Sequence, residues 1–177
     1  MIRIGIIMGS TRLGRKAEVV AKWAYEIPRK RKDAEFELVD IADFNLPLLD
    51  EPMPPVFGHY SHDHTRVWSA KIASFDGYVF VTPEHNHATS DALKNAIEFL
   101  HNEWINKAAG FIGYGGMSGA RAVEDLRLIM GEVQVATVRA LRPRNGGPRI
   151  ASVWKRGRNG FERSRQNNNC SRILHKS

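Results

Sequence analysis

The chain has 177 residues, 42% of them apolar and 25% charged, with a formal net charge of +7. That length accommodates one compact core and little more, and the composition excludes collagen-like, wholly disordered and membrane-embedded classes. The positive charge does not belong to the whole chain: residues 1–140 hold 16 Lys/Arg against 18 Asp/Glu, while residues 141–177 hold 10 Lys/Arg against the lone Glu162.

Residues 2–8 (IRIGIIM) are an almost wholly apolar, β-branched run ending at Gly9, as expected of a strand buried on both faces of a parallel sheet. The run is short and leads straight into a Gly-Ser turn, unlike a secretory signal. With the single Cys170 unable to form an intramolecular disulfide, the expected location is the cytoplasm. Ala17, Val20, Ala24 and Ile27 then recur at helical spacing, with Trp23 alongside and Pro28 at the end. Residues 36–40 (FELVD) make a second strand. The stretch 45–58, with Pro47, Pro52, Pro54 and Pro55, is excluded from helix and central strand and reads as a surface loop.

A helix is expected over about 62–74 and a third strand over 78–81 (YVFV), stopped by Pro83. Ala92, Leu93, Ala96, Ile97 and Leu100 form the next helical stripe, and residues 108–112 a fourth strand. Val123, Leu126, Met130 and Val133 form another stripe, and residues 135–141 a fifth strand. No apolar run approaches the roughly 20 residues that cross a bilayer.

Five strands alternating with helices imply right-handed crossovers and a parallel sheet covered on both faces. The class is α/β, doubly wound, and five strands without a sixth favour the flavodoxin-like order 2-1-3-4-5 over the six-stranded dinucleotide order. After Leu141 the pattern stops. Residues 142–177 combine scattered Gly, clustered Arg and an Asn triplet with no apolar stripe, so the last helix such a sheet normally receives is missing or replaced. The domain is expected to span 1–141, followed by a basic, disordered or atypical tail. Arg-rich tails bind phosphate backbones, but the rest of the chain is slightly acidic and carries no recognisable RNA or DNA motif, so nucleic acid is not the expected partner.

Ligands of open α/β sheets bind beyond the carboxyl ends of the strands. The first such loop, Gly9-Ser10-Thr11-Arg12-Leu13-Gly14-Arg15-Lys16, offers backbone N–H groups, two hydroxyls and two arginines at a helix N-terminus, which suits a phosphate dianion. The plain structural alternative is a Ser/Thr helix cap with solvated arginines. Arg15 and Lys16 stand where a Walker motif requires Lys and Ser/Thr, which removes a nucleoside-triphosphatase reading, and the GxGxxG spacing is absent. The third-strand loop, 82–90 (TPEHNHATS), combines an extended entry at Pro83 with a tight turn held by Asn86 and Thr89, and its backbone could face a planar ring. Its plain alternative is a loop whose Ser90 or Thr89 caps the next helix. The fourth-strand loop, 113–119 (GYGGMSG), has four glycines in seven positions and lets a ligand edge approach main-chain N–H groups.

These three segments, GSTR, PEHNHATSDALKNAIEFL and GYGGMSGARAVEDLR, together resemble the NADPH-dependent FMN reductase family of flavodoxin-like quinone, azo-compound and chromate reductases, over residues 1–140. The resemblance implies an FMN group with its phosphate on Gly9, Ser10, Thr11, Arg12 and Arg15. Its isoalloxazine would rest on Pro83, Glu84, His85 and Asn86, with Gly115 and Gly116 near the pyrimidine edge. It further implies that hydride passes from NADPH or NADH to flavin N5 and on to a quinone, azo dye, metal oxyanion or free flavin in ping-pong order, with no side-chain acid or base required. A homodimer or homotetramer is also implied, and helices 62–74 and 89–102, which flank the ligand loops, are the expected contacts. The family usually has Tyr where this chain has His85, whose titration would couple protonation to flavin reduction. The alternative function is a flavodoxin-like FMN carrier without nicotinamide turnover.

Two remaining features weigh less. His59, His62, Asp63 and His64 in HYSHDH have metal-like spacing, but no Cys or second carboxylate cluster completes a site, so no metal is expected. Trp68, Trp104 and Tyr114 either line a cleft or interface or belong to the core.

Overall fold

The computed structural model describes residues 1–138 and two further strands, Trp154–Gly157 and Gly160–Arg163. Five strands, β1 (Ile2–Met8), β2 (Ala34–Asp40), β3 (Gly77–Pro83), β4 (Ala108–Tyr114) and β5 (Ala136–Thr137), form one parallel sheet in the order β2-β1-β3-β4-β5. The register sets Met8 beside both Asp40 and Val81, and Pro83 beside Tyr114. The loops that follow β1, β2, β3 and β4 therefore leave from the same end of the sheet. From β1 the chain crosses to β2 on one side, and from β3 to β4 on the other, which opens a crevice at the carboxyl ends between β1 and β3.

Side chains alternate between two cores because the pleat has period two. Ile7, Tyr78, Phe80, Ala109 and Phe111 join residues of α2 (Asp63–Ala73), α3 (Asp91–Glu98) and α4 (Ala120–Glu132) on one face. Ile6, Met8, Val81 and Ile112 join α1 (Ala17–Glu26) on the other. Burial on both faces is why these strands read as continuous apolar runs. Trp68 and Trp104 are fully buried, and each indole N–H finds a carbonyl, Ala96 at 2.7 Å and Ile97 at 3.1 Å. Both are core residues and line no cleft.

The expected helices appear with small shifts: α2 begins and ends one residue inside 62–74, and α3 stops at Glu98. In the loop 45–58 one detail differs, because Pro55–Phe57 forms a single 3-10 turn. Proline is tolerated there since the first helical N–H needs no partner. Of the fifth strand expected over 135–141, β5 is seen at Ala136–Thr137, positions 139–141 lie outside the described residues, and no helix follows among the described residues. Within the tail, Trp154–Gly157 pairs antiparallel with Gly160–Arg163; the rest of the expectation for 142–177 lies outside the described residues.

Candidate functional site

The loop after β1 starts with Gly9, whose N–H donates to Val81 O at 2.8 Å and whose carbonyl accepts from the Ser90 hydroxyl. Ser10 is buried, whereas Thr11 and Arg12 are exposed. Neither hydroxyl caps the following helix: the N-cap of α1 is Lys16 and carries no side-chain cap. The plain capping explanation of this loop therefore falls away. Among the described residues the Arg12 guanidinium and the N–H groups of Thr11 and Arg12 have no partner, so a cation and two donors stand together next to the N-terminus of α1.

Arg15 is placed differently from Arg12. Its Nη1 donates to Ser10 O at 2.5 Å and to Asp40 Oδ1 at 2.9 Å, Nη2 bonds Asp40 Oδ2, and Nε and Nη2 reach Glu18 at 3.4 and 3.3 Å. Burial works against this charge, but Asp40 and then Glu18 more than offset it and hold the guanidinium pKa above its ordinary value. The structure thus places Arg15, expected among the phosphate-binding residues, with its fork filled by two carboxylates and a carbonyl.

The loop after β3 closes through His85 N–H to Ala88 O at 3.0 Å and Ala88 N–H to His85 O at 2.9 Å. Asn86 (φ 47°) and His87 (φ 72°) are both left-handed, as a type I′ turn requires. The turn is therefore centred on Asn86 and His87, with Thr89 outside it. Thr89 is drawn under the loop, where its hydroxyl meets that of Thr82 at 2.7 Å and its N–H donates to Asp125 at 3.0 Å. Ser90 does cap α3, accepting from Leu93 N–H at 3.2 Å.

Glu84 supplies backbone, not carboxylate, to the open side. Its side chain is 7% exposed and points at α4, accepting from Arg121 N–H at 3.1 Å and pairing with Arg121 Nε at 3.1 Å. This anion fills the cap position that Gly119, the N-cap of α4, leaves without a side chain. Pro83 is buried, His85 half-buried and Asn86 exposed, so these three, with the Glu84 main chain, form a ledge.

The fourth-strand loop meets that ledge: Glu84 N–H donates to Tyr114 O at 2.9 Å. Gly119 (φ 67°) lies so close to β4 that a Cβ there would sit 2.4 Å from Tyr114 N. Gly115 and Gly116 are exposed, and a Cβ on Gly116 would meet nothing within 4 Å, leaving open space above the main chain. The Tyr114 phenol completes the link to the first loop. Burial pushes its pKa up to about 12, against the lowering influence of Ser10 and the charge of Arg15, both in the first loop.

The three loops thus form one contiguous surface, with Arg12 and Thr11 at one end and the His85 turn with Gly115 and Gly116 at the other. Asp40, Arg121 and Asp125, which hold it together, are not apparent in the sequence as site residues. A carboxylate closing β2 at the ligand end of the sheet is the one signal that points to Asp40.

The HYSHDH run serves the fold. His62 and His64 stack with centroids 5.2 Å apart, Asp50 takes His64 Nε2 at 3.1 Å, and Glu51 accepts the N–H groups of Ser61 and His62 at 2.7 and 3.1 Å. His59 is exposed. Among the described residues no three His, Cys, Asp or Glu are grouped to hold a metal ion. A separate groove of about 600 Å³ lies at the amino ends of β1 and β2, far from the three loops. Its Arg3 and Arg29 are paired with Glu37 at 3.2 Å and Glu26 at 2.9 Å.

Comparison with known proteins places the chain in a family. The chain is 38% identical over 172 residues to the NAD(P)H-dependent FMN reductase ntnL of Nectria sp, covering 92% of this chain and 85% of that protein. It is 37% identical over 131 residues to an NAD(P)H-dependent FMN reductase of Schizosaccharomyces pombe, covering 73% and 66%. The flavoenzyme NAD(P)H:(acceptor) oxidoreductase FerB of Paracoccus denitrificans shares the fold with a TM-score of 0.66 at 22% identity, over 78% of this chain and 76% of that one. The family model for NADPH-dependent FMN reductases matches residues 2–143, and the chain belongs to that family of oxidoreductases, which draw electrons from NAD(P)H.

Proposed function

We propose that the chain reduces a small acceptor, a quinone, azo compound, metal oxyanion or free flavin, with NAD(P)H through one FMN in ping-pong order. The observation that carries this reading is the continuity of the three loops. A cation and N–H donors that have no partner among the described residues suit a phosphate monoester at one end, and an uncrowded main-chain ledge at the other suits a flat ring. Relatives named as quinone oxidoreductase, in Solanum tuberosum, and as azoreductase, in Bacillus sp., support the range of acceptors.

In this reading Gly9, Ser10, Thr11 and Arg12 hold the phosphate. Pro83, the Glu84 main chain, His85 and Asn86 carry the ring, and Gly115 and Gly116 leave room for its pyrimidine edge. Bound FMN supplies an N5 that takes up hydride and passes electrons on. The protein's part is to fix the cofactor at both ends and leave one face open, on which donor and acceptor succeed each other. No side-chain acid or base is assigned. The tight His85–Ala88 pairing gives the ledge a fixed height.

A homodimer or homotetramer is part of the same proposal, supported by exposed apolar residues around the proline-rich loop and α2: Leu48 is 84%, Phe57 58% and Val67 59% exposed. Light scattering on a sizing column tests it, and a monomer at micromolar concentration overturns it. The proposed cytoplasmic setting rests on the lone Cys170. Among the described residues no helix is long and apolar enough to cross a membrane.

The decisive experiment is the visible spectrum of the purified protein, with FMN added if it is colourless, followed by NADPH or NADH without oxygen. Rapid loss of the flavin bands is the expected result. Flavin that binds but stays oxidised with both nucleotides points to a carrier, and a folded protein that binds no flavin overturns the reading.

A further inference from the structure

We propose that Arg15 and Asp40 are a positioning pair that orients the anion loop, and that Arg15 is not itself a phosphate ligand. This rests on the FMN reading above. The carbonyl of Ser10 and the N–H of Thr11 belong to the same peptide unit, which is trans, so they point in opposite directions. Arg15 Nη1 holds that carbonyl inward at 2.5 Å, which turns the Thr11 N–H to the opposite, open side, where it has no partner among the described residues.

Asp40 fixes the direction of the clamp. It takes two nitrogens of the guanidinium fork, and its Oδ1 also accepts from Ala42 N–H at 3.0 Å, capping the 3-10 turn Ile41–Phe44 directly after β2. The pair is 13% and 12% exposed, so solvent competes little for it. With Asp40 and Glu18 both against Arg15, its charge is compensated within the protein. Arg12 supplies the charge for a phosphate monoester, and Arg15 supplies the orientation of the donors.

The two roles predict opposite signs for Asp40→Asn, which keeps the cap to Ala42 but drops the ion pair. FMN and riboflavin, which lacks the phosphate, are titrated into flavin-free protein by fluorescence quenching, with melting temperatures recorded alongside. If the pair positions the loop, Asp40→Asn weakens FMN roughly tenfold and riboflavin less than about twofold. Arg15→Lys, whose ammonium cannot bridge Ser10 and Asp40 as a planar fork does, gives the same pattern and serves as the second variant if the first melts early.

Unchanged or tighter FMN binding by Asp40→Asn overturns the proposal, since freeing a direct ligand would have that effect. Equal weakening of both flavins also overturns it, because a general loss of structure does not distinguish phosphate. Failure of the unmutated protein to bind either flavin is a different result: it defeats the FMN reading itself, and this role with it.

Discussion

The loop after β1 is held from within by one cation, whereas the loop after β3 is held from outside by a helix. Arg15 reaches back to Ser10 O and across to Asp40, leaving Thr11 and Arg12 exposed, the Thr11 N–H and the Arg12 guanidinium without a partner among the described residues. On the other side, Arg121 and Asp125, one turn apart on α4, take Glu84 and the N–H of Thr89, the residues flanking the His85–Ala88 turn. The first arrangement leaves charge and donors free for an anion. The second uses its charged groups internally and offers shape. One surface therefore has an end that discriminates by charge and an end that discriminates by fit.

The strongest way to break this contrast is to separate the ledge from its support. Gly119→Ala places a Cβ 2.4 Å from Tyr114 N at a left-handed φ of 67°. It should cost about 3 kcal/mol in a denaturant titration and weaken both flavins; a loss below about 1 kcal/mol would show that the loop relaxes freely. Glu84→Ala is milder. Loss of the α4 cap and of the partner of Arg121 should cost about 1–2 kcal/mol and reduce FMN and riboflavin affinity by equal factors. Unequal factors would place phosphate recognition at the wrong end.

Arg12→Ala sharpens the comparison from the other side. FMN affinity should fall roughly tenfold, about 1.4 kcal/mol, with riboflavin affinity and melting temperature unchanged. Loss of riboflavin binding would mean that Arg12 supports the fold. The smallest effect is expected at Glu51, which lies outside both loops. Burial opposes its charge, but the N–H groups of Ser61 and His62, at 2.7 and 3.1 Å, hold its carboxyl below the ordinary 4.5. A depressed folded pKa gives stability that is present above about pH 4.5 and lost as pH falls through the lower folded value. Glu51→Gln should remove this part of the acid sensitivity, about 1 kcal/mol or less, so that variant and parent converge in acid melts while flavin affinity stays unchanged.

Much of the fold was legible because burial on both faces writes continuous apolar runs into β1, β3 and β4, and one-sided burial writes helical stripes into α3 and α4. Leu93, Ala96 and Ile97, and likewise Val123, Leu126 and Met130, are buried as their spacing implies. The loop positions were legible too, since a doubly wound sheet fixes where its strand ends lie. The fate of individual side chains was not. Glu84 and Arg15 look alike to a reader of the sequence, two charged residues in ligand loops, yet each is turned inward by a partner far along the chain: Arg121 is 37 residues away and Asp40 is 25. Thr89 likewise leaves the turn because Asp125, on another element, takes its N–H.

The sequence alone determined that this chain builds a parallel α/β sheet and brings GSTR, PEHN and GYGG to one of its ends, because periodicity, turn residues and chain order are local properties. The tertiary structure decided which charges at that end remain free. An ion pair forms only where two backbones bring its partners within hydrogen-bonding distance, and that closeness, unlike hydrophobic pattern, is not written in the neighbouring residues. Arg12 stays open and Arg15 closes on Asp40 for this reason, although only two residues separate them along the chain.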